Sequence, residues 1–403
     1  MTAGSAPGPG RGQRGVRRYH FHAPGLLYIG VTFFLAVGAI NSQNNLLFAA
    51  LGLAIGGLLV SGIISGASLL GLRVERDPIA RAAAGSPLTV SYTITNSNRM
   101  FPAFGLHVVE VPSGGDHGWE RLMPGPRAFV ALVGTRRSAR AHATLVPTRR
   151  GQAAFNRVRI WTTFPFGLTR KSVTFDLPAT AVVRPVDLPL RREVLEELSA
   201  PASHGDGAER MPGHGDEFFA LREYAPGDSP RRIAWRRSAR TGDLVVRQQA
   251  LPAPLRLWVV LWAHRTDGST ADGPDLERAV ALAAAVVRNA AATGMAVGLI
   301  APGAARPPRI GHRHVDQLIC DLALTNGSGA VEPPAAFGRA GASLVISAGG
   351  PPPPGLAMRG RTLPAPALAS LLIPGLSDAP LALLAHARAT AGTAEPTPKG
   401  AAA

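Results

Sequence analysis

Hydrophobic positions along this chain fall into three regimes. Between Gly25 and Leu70 they form two nearly unbroken runs, Gly25–Ile40 and Leu46–Leu70, joined by the uncharged stretch Asn41–Asn45. As helices the runs would extend roughly 24 Å and 37 Å at about 1.5 Å per residue, against a hydrocarbon core of about 30 Å. The first run alone has the length of a signal-peptide core, but the second follows at once and is too long for one. The pattern over residues 25–70 predicts a transmembrane helical hairpin. Over residues 71–188 the period drops to two: Leu88–Thr95 alternates Leu, Val, Tyr and Ile with Thr and Ser. Further alternating stretches are Leu106–Val111, Ala128–Val133, Ala139–Val146, Phe155–Trp161, Val173–Asp176 and Ala181–Val183. Short strands with turn signals between them predict an all-β, immunoglobulin-like sandwich.

The third regime, residues 251–375, alternates continuous apolar strands with amphipathic helices. Leu255–Leu261, Ala296–Ile300 and Leu344–Ser347 read as strands buried on both faces. A helix opening at Pro274 turns Leu276, Val280, Ala284 and Val287 to one stripe, and Val315–Leu324 predicts another. This alternation predicts an α/β, Rossmann-type domain with a largely parallel sheet. Between the second and third regimes lies residues 189–250, with a polar loop at His204–Gly215 and then a dense run of charged and aromatic residues. Within that run Pro230 opens a short helix, Arg231–Arg237, which Gly242 ends before a strand at Leu244–Arg247. Residues 1–24 form a basic N-terminal tail, and residues 376–403, ending in the low-complexity stretch Thr390–Ala403, a weakly structured C-terminal one.

Charge adds an orientation. The 403 residues carry a formal net charge of +16, which raises nucleic acid, anionic lipid and acidic protein segments as partners. Arginines 11, 14, 17 and 18 precede the first apolar run and Arg73, Arg76 and Arg81 follow the second, while the Asn-rich turn has no charge. The positive-inside rule then places both flanks, and everything after Leu72, on the cytoplasmic side of a membrane. No basic helix or aromatic-basic alternation of the kind that stacks bases is present, so nucleic acid is not an expected partner. Gly52 with Gly56 and Gly62 with Gly66 offer small residues against which the first helix could pack closely. The single cysteine, Cys320, lies in an apolar helical context and reads as a small buried hydrophobe.

The dense run carries Glu217, Phe218, Leu221, Arg222, Tyr224, Gly227, Asp228, Arg231, Ile233, Trp235, Ser238, Ala239, Arg240 and Arg247. At these positions it resembles the signature of bacterial membrane proteins that carry the domain of unknown function 58. Thr163–Leu168, with Pro165 and Gly167 at a corner, resembles a second motif of that family. Two acidic positions of the signature are missing: Ala234 stands where aspartate is usual and Gln248 where glutamate is usual. The resemblance implies a von Willebrand A-like α/β domain and a working link to a MoxR-type AAA+ ATPase, in assembly or maturation of envelope complexes. An accessory subunit of a cell-wall or export machine, or a membrane-associated hydrolase, are the alternatives.

The chemistry-bearing residues bear on those alternatives. A von Willebrand A metal site needs clustered oxygen ligands after the first strand. Here that strand end reads Trp262, Ala263, His264 and Arg265, with Asp267, Ser269 and Asp272 further along. No bound metal and no cofactor is expected. His312 and His314 have no acidic or Cys partner at ligand spacing. Gly349–Gly350 lacks the lysine and helix of a phosphate loop. Ser238 has no histidine close in sequence to act as base, so the chain is expected to be a scaffold or adaptor and no enzyme. For the signature two roles stand open. Arg231 and Trp235 could form a buried lock at a domain junction, the favoured role, with Arg231, Arg240 and Arg247 paired to Glu217, Glu223 or Asp228. Alternatively Arg231, Trp235 and Arg240 form an exposed patch that recognises an acidic protein segment.

Overall fold

A computed structural model describes residues 16–21, 23–191, 211–213, 217–251, 255–265, 269–271, 273–335, 337, 342–357 and 360–364. The chain divides into two compact units, Met1–Arg184 and Pro185–Ala403. The first begins with two helices, α1 (Ala23–Ser42) and α2 (Asn45–Ala67). Both are long and apolar enough to cross a membrane, and few of their described residues are buried in a protein core. Asn44 caps α2: its side-chain oxygen accepts the Leu46 N–H at 2.8 Å. The Tyr28 hydroxyl on α1 donates to the Ala54 carbonyl on α2 at 3.0 Å, tying the pair together.

The glycines expected at the α1–α2 contact do not make it. A Cβ added at Gly52, Gly56 or Gly62 would meet nothing within 4 Å, whereas Gly57 faces the Tyr28 hydroxyl and Gly66 the Lys171 ammonium. The close approach lies instead at Gly25, where an added Cβ would stand 2.0 Å from the Leu168 carbonyl oxygen. Only a residue without a side chain lets the start of α1 reach the corner that precedes β8.

The rest of the first unit is antiparallel β. Strands β1 (Val16–Phe21), β4 (Ala103–Val111), β5 (Arg127–Val133), β7 (Gly151–Thr162) and β8 (Thr169–Val183) make one sheet in the order β1-β8-β7-β4-β5. The second sheet has the order β2-β3-β6, from β2 (Leu72–Arg76), β3 (Leu88–Asn96) and β6 (Ser138–Leu145). Alternate residues of each sheet are buried: Val90, Tyr92 and Ile94 from one, Leu106, Val108, Phe155, Val158 and Ile160 from the other.

Three expectations change here. Residues 16–21, read as part of a basic tail, pair with β8, Val16 opposite Thr174 and Phe21 opposite Thr169. The stretches 173–176 and 181–183 belong to one 15-residue strand, β8. Pro178 does not break it because β1 pairs only as far as Thr174 and β7 carries a bulge between Phe155 and Arg157, so no ladder hydrogen bond is needed there. Arg76, read as a membrane flank, is buried between the sheets. Its guanidinium forks onto the Glu110 carboxylate with two contacts of 2.8 Å and donates to the Leu177 carbonyl at 2.6 Å. The Tyr92 hydroxyl donates to the same carboxylate at 2.9 Å.

The second unit holds two further sheets. The smaller has the order β10-β11-β9, from β9 (Met211–Gly213), β10 (Glu217–Glu223) and β11 (Val245–Leu251). β9 falls within the stretch read as a polar loop, the remainder of which lies outside the described residues. The larger has the order β14-β13-β12-β15-β16, with β12 (Arg256–Trp262), β13 (Ala296–Ala301), β15 (Ala342–Ser347) and β16 (Gly360–Pro364) parallel and β14 (Ala304–Arg309) antiparallel. Pro307 and Pro308 fit in β14 because it is an edge strand.

On one face Trp258, Val260, Ile300, Val345 and Leu356 form a buried cluster. Leu257, Val259 and Leu261 point to the other face by strand alternation. A helix at Gly273–Ala292 buries Leu276, Val280, Ala284 and Val287, the stripe its sequence predicts. A second helix, His312–Leu324, buries Leu318, Ile319, Leu322 and Ala323, while Cys320 is half-buried. Residues 365–403, which include the whole of the predicted C-terminal tail, lie outside the described residues.

Candidate functional site

The signature residues come together on β10, β11 and the chain between them. Leu221 lies opposite Arg247 and Arg222 opposite Val246 in the β10–β11 ladder. After β10 the chain turns through Pro226–Ser229 and makes one 3₁₀ turn, Pro230–Arg232. It then extends at Ile233, which bridges to Val246, and only at Trp235 does a helix begin, α3 (Trp235–Thr241). The helix expected at Arg231–Arg237 is therefore displaced: the extended backbone of Ile233 (φ −68°, ψ 128°) interrupts it. The Ala234 N–H donates to the Val245 carbonyl at 2.8 Å, locking this extended link to β11.

Four positions have clear local roles. Gly227 adopts φ +107° in the turn, a conformation costly for a side chain. Asp228 accepts two hydrogen bonds from the Arg222 guanidinium, at 2.7 and 2.5 Å, and one from the Ala225 N–H at 2.9 Å. The hydrogen bonds from Arg222 and then from Ala225 hold its carboxyl below the ordinary value. Ser238 is buried, and its hydroxyl accepts the Val245 N–H at 2.9 Å, so it fastens α3 to β11 and is no free nucleophile. Gly242, at φ +83°, closes the helix with its N–H on the Ser238 carbonyl.

Ala234, where aspartate is usual in the resembling family, occupies the N-cap of α3 and makes no side-chain cap. A carboxylate at this position would stand at a helix start, where a side-chain oxygen can accept an unpaired backbone N–H. Gln248 lies opposite Ala220 in the ladder. Glu217 and Phe218 pair through their backbones with Ala250 and Gln249. The Tyr224 N–H donates to the Leu244 carbonyl.

The remaining residues are exposed within the second unit. Trp235 is 63% exposed, and Arg231, Ala239, Arg240 and Arg247 are exposed as well. Among the described residues Asp228 pairs with Arg222, and no carboxylate is paired with Arg231, Arg240 or Arg247. The reason is geometric: α3 buries only Ser238, so residues 235–237 and 239–241 turn outward. With Arg236 and Arg237 they make an exposed, basic surface that also carries Trp235.

Residues 220–343 match the model of a family described as Protein of unknown function DUF58. By that match residues 220–343 resemble a DUF58 region. An uncharacterized protein of Mycobacterium tuberculosis, Rv1480, is 33% identical over 153 residues, 37% of this chain and 47% of that protein. YeaD, an uncharacterized protein of Bacillus subtilis, is 23% identical over 194 residues, 47% of each chain. The chain thus spans less than half the length of the curated relatives it matches. A solved glycoside hydrolase, the family 20 exo-β-N-acetylglucosaminidase of Vibrio harveyi, aligns with 68% of this chain and 57% of its own at 10% identity and a TM-score of 0.15. That likeness carries no argument.

The DUF58 region contains the strand end at which a von Willebrand A-like site would lie. There the His264 ring sits 4.8 Å from that of Trp262, and the Ser347 hydroxyl donates to the Gly350 carbonyl. Asp267 and Asp272 lie outside the described residues, and the Ser269 carbonyl accepts the Arg265 N–H. Among the described residues no three His, Cys, Asp or Glu side chains converge on a point that could hold a metal ion. His314 donates from Nε2 to the Val297 carbonyl at 2.9 Å, which fixes its helix to β13. Sequence reasoning missed the Arg76–Glu110–Tyr92 network, whose partners are 34 and 18 residues apart from Glu110 and carry no local signal.

Proposed function

We propose that the chain is a membrane-anchored binding module whose α3 surface recognises an acidic segment of a partner protein. The observation that carries this is the exposed Trp235, set among Arg231, Arg240 and Arg247 with no carboxylate paired to them among the described residues. An exposed tryptophan and arginines are the residue types that dominate interface energetics. In this reading the two apolar helices cross the bacterial inner membrane, with the Asn-rich turn outside and both units in the cytoplasm. The two-sheet unit is immunoglobulin-like and the parallel sheet von Willebrand A-like. The partner is a MoxR-type AAA+ ATPase, as the resemblance to the DUF58 family implies, and the work is assembly or maturation of envelope complexes without chemistry by this chain.

Purified full chain in detergent, with the host's MoxR-type ATPase as the probe, tests this. Trp235→Ala and Arg231→Ala should melt close to wild type, since exposed substitutions change stability by less than about 0.5 kcal/mol. A hot-spot loss of about 2 kcal/mol or more should weaken binding roughly 30-fold. Loss of stability in both variants would restore the lock. Absence of binding by the wild-type chain would remove the ATPase as partner.

A further inference from the structure

The hydrogen-bond register of the first unit sorts its loops into two groups. β2 and β8 leave the open end of the α1–α2 hairpin, and β3, β5 and β7 return to it. Three contacts fix this end. The Lys171 ammonium donates to the Gly62 carbonyl of α2, the Ser65 and Thr169 hydroxyls lie 3.2 Å apart, and Gly25 of α1 abuts the Leu168 carbonyl. The loop at residues 97–102 joins through the Ser97 N–H on the Gly71 carbonyl, and residues 134–137 through the Arg136 N–H on the Asn98 carbonyl. The loops beside the hairpin are therefore residues 68–71, 97–102, 134–137 and 163–168.

The two ends differ in charge and polarity. The near loops hold Arg99, Arg136 and Arg137, all exposed, and no Asp or Glu. The far loops hold Asp77, Asp116 and Glu120 among their arginines. The near end also exposes large apolar side chains: Met100 at 77%, Phe166 at 59%, and Leu70 and Phe101 to a lesser degree. Phe164, beside Phe166, stacks on Phe104 with ring centroids 4.7 Å apart, so the corner that carries Phe166 is braced.

On the sheet β1-β8-β7-β4-β5 a row of rings crosses the strands. Phe129 lies 4.9 Å from His107, His107 stacks on Trp161 at 3.9 Å, and the Arg170 guanidinium covers Trp161 at 3.9 Å. Arg159 adds a second cation there, and its Nε is buried with no hydrogen-bond partner among the described residues. Burial, and then the neighbouring Arg159, hold the Arg170 guanidinium below its ordinary value. Asp176 is further along β8, opposite Arg157 rather than beside Arg170.

Exposed aromatics and arginines at the foot of apolar helices match the headgroup layer of a bilayer, where rings sit at the interface and cations meet phosphate. We propose that this end of the first unit is a collar that binds the headgroups of anionic phospholipids around the hairpin, with Arg99, Arg136 and Arg137 facing phosphate and Met100, Phe101 and Phe166 inserted among them. The collar rests on the hairpin crossing a bilayer, and on nothing concerning α3. Its effect is to hold the first unit flat on the membrane.

The full chain in detergent is titrated with phosphatidylglycerol and with phosphatidylcholine, and retained lipid is counted by native mass spectrometry. Wild type should retain phosphatidylglycerol in preference. At about fivefold per surface arginine, the variant R99S/R136N/R137S should lose on the order of 100-fold in apparent affinity for it. The matched variant R81S/R121S/R127S, at the far end, should retain wild-type selectivity. Asparagine at position 136 keeps the backbone at φ +54°, which it tolerates well. Equal retention of both lipids by wild type, equal loss in the two variants, or displacement of phosphatidylglycerol by millimolar inorganic phosphate would each overturn the collar. Alkaline carbonate extraction of the chain from native membranes tests the hairpin separately: release would defeat the membrane crossing, whereas retention without lipid selectivity would defeat only the collar.

Discussion

Removing the Arg76 guanidinium should damage the first unit more than any exposed charge change. The side chains of Arg76 and Glu110 are 3% and 0% exposed, and their bidentate contact joins β2 to β4 across the two sheets. Arg76 also donates to Leu177 on β8 and sits 5.4 Å from the centre of the Phe155 ring. Arg76→Ala leaves a buried carboxylate with the Tyr92 hydroxyl as its remaining hydrogen-bond partner. Breaking a buried pair in this way costs about 3–5 kcal/mol. For a unit of this size about 1 kcal/mol moves the melting temperature by roughly 2–4 °C, so a fall of about 6–20 °C is expected.

Replacing the network with apolar groups of similar volume separates the cost of an orphaned charge from the worth of the pair. Arg76→Leu, Glu110→Leu and Tyr92→Phe combined should recover most of the loss, because neither desolvated charge remains. Acid should act in the same direction. Burial pushes the Glu110 carboxyl above its ordinary value of 4.5, and the guanidinium and hydroxyl draw it back. In Arg76→Ala the strongest of these restraints is gone and the carboxyl rises further. A group raised in the folded state contributes full stability below its unfolded value and loses it as pH rises through the folded one. The deficit of Arg76→Ala should therefore shrink as pH falls toward 4.5. Hydrogen exchange of the full chain in detergent, read on peptides from β2, β3 and β4, measures each variant. A deficit below about 1 kcal/mol in Arg76→Ala, or a triple variant as weak as the single one, would refute the reasoning.

Three further outcomes are expected. Ala234→Asp, which restores a side-chain acceptor at the N-cap of α3, should stabilise the second unit by about 1 kcal/mol in thermal melts; destabilisation would show that position 234 admits no cap. Gly25→Ala should lower thermal stability in detergent by about 1–3 kcal/mol, because its Cβ meets the Leu168 carbonyl, while Gly30→Ala, with open space around it, should be close to neutral. An NMR titration should place Asp228 below the ordinary 3.8, with its stabilising contribution present above that value and lost as pH falls through the folded one. Arg222→Gln should return the midpoint toward 3.8, and an unchanged midpoint would remove Arg222 as the cause.

Much of the fold is written in periodicity, which is local. The apolar runs become α1 and α2, the alternation of Leu88–Thr95 becomes β3, and the stripe from Leu276 to Val287 becomes the buried face of its helix. What escapes is set by distant chain. Val16–Phe21 has the charge of a solvated tail, and only the free edge of β8 makes it a strand. β8 runs through Pro178 because β7 bulges opposite, a fact held 22 residues earlier in the sequence. The glycines of α2 have the spacing of a helix contact, yet the contact depends on where α1 enters, which Leu168 and Gly25 decide.

The arginines make the same point about the candidate site. Arg76, Arg222 and Arg231 are indistinguishable as letters, and each lies near a turn or helix with apolar neighbours. A strand brings Glu110 to Arg76 and the network is sealed between sheets. A turn six residues on brings Asp228 to Arg222, and the pair braces a local loop. No described carboxylate is paired with Arg231, and the neighbouring Trp235 points to solvent. Desolvation explains the pattern: a guanidinium enters the core only where a carboxylate is delivered to it, so an arginine without one stays in water. A buried lock in the DUF58 region would have required carboxylates aligned with Arg231 and Arg240, and the residues that could supply two of them, at positions 234 and 248, are Ala and Gln in this chain. With Ala234 and Gln248 at those positions, Arg231, Arg240 and Arg247 remain exposed on the surface that carries Trp235.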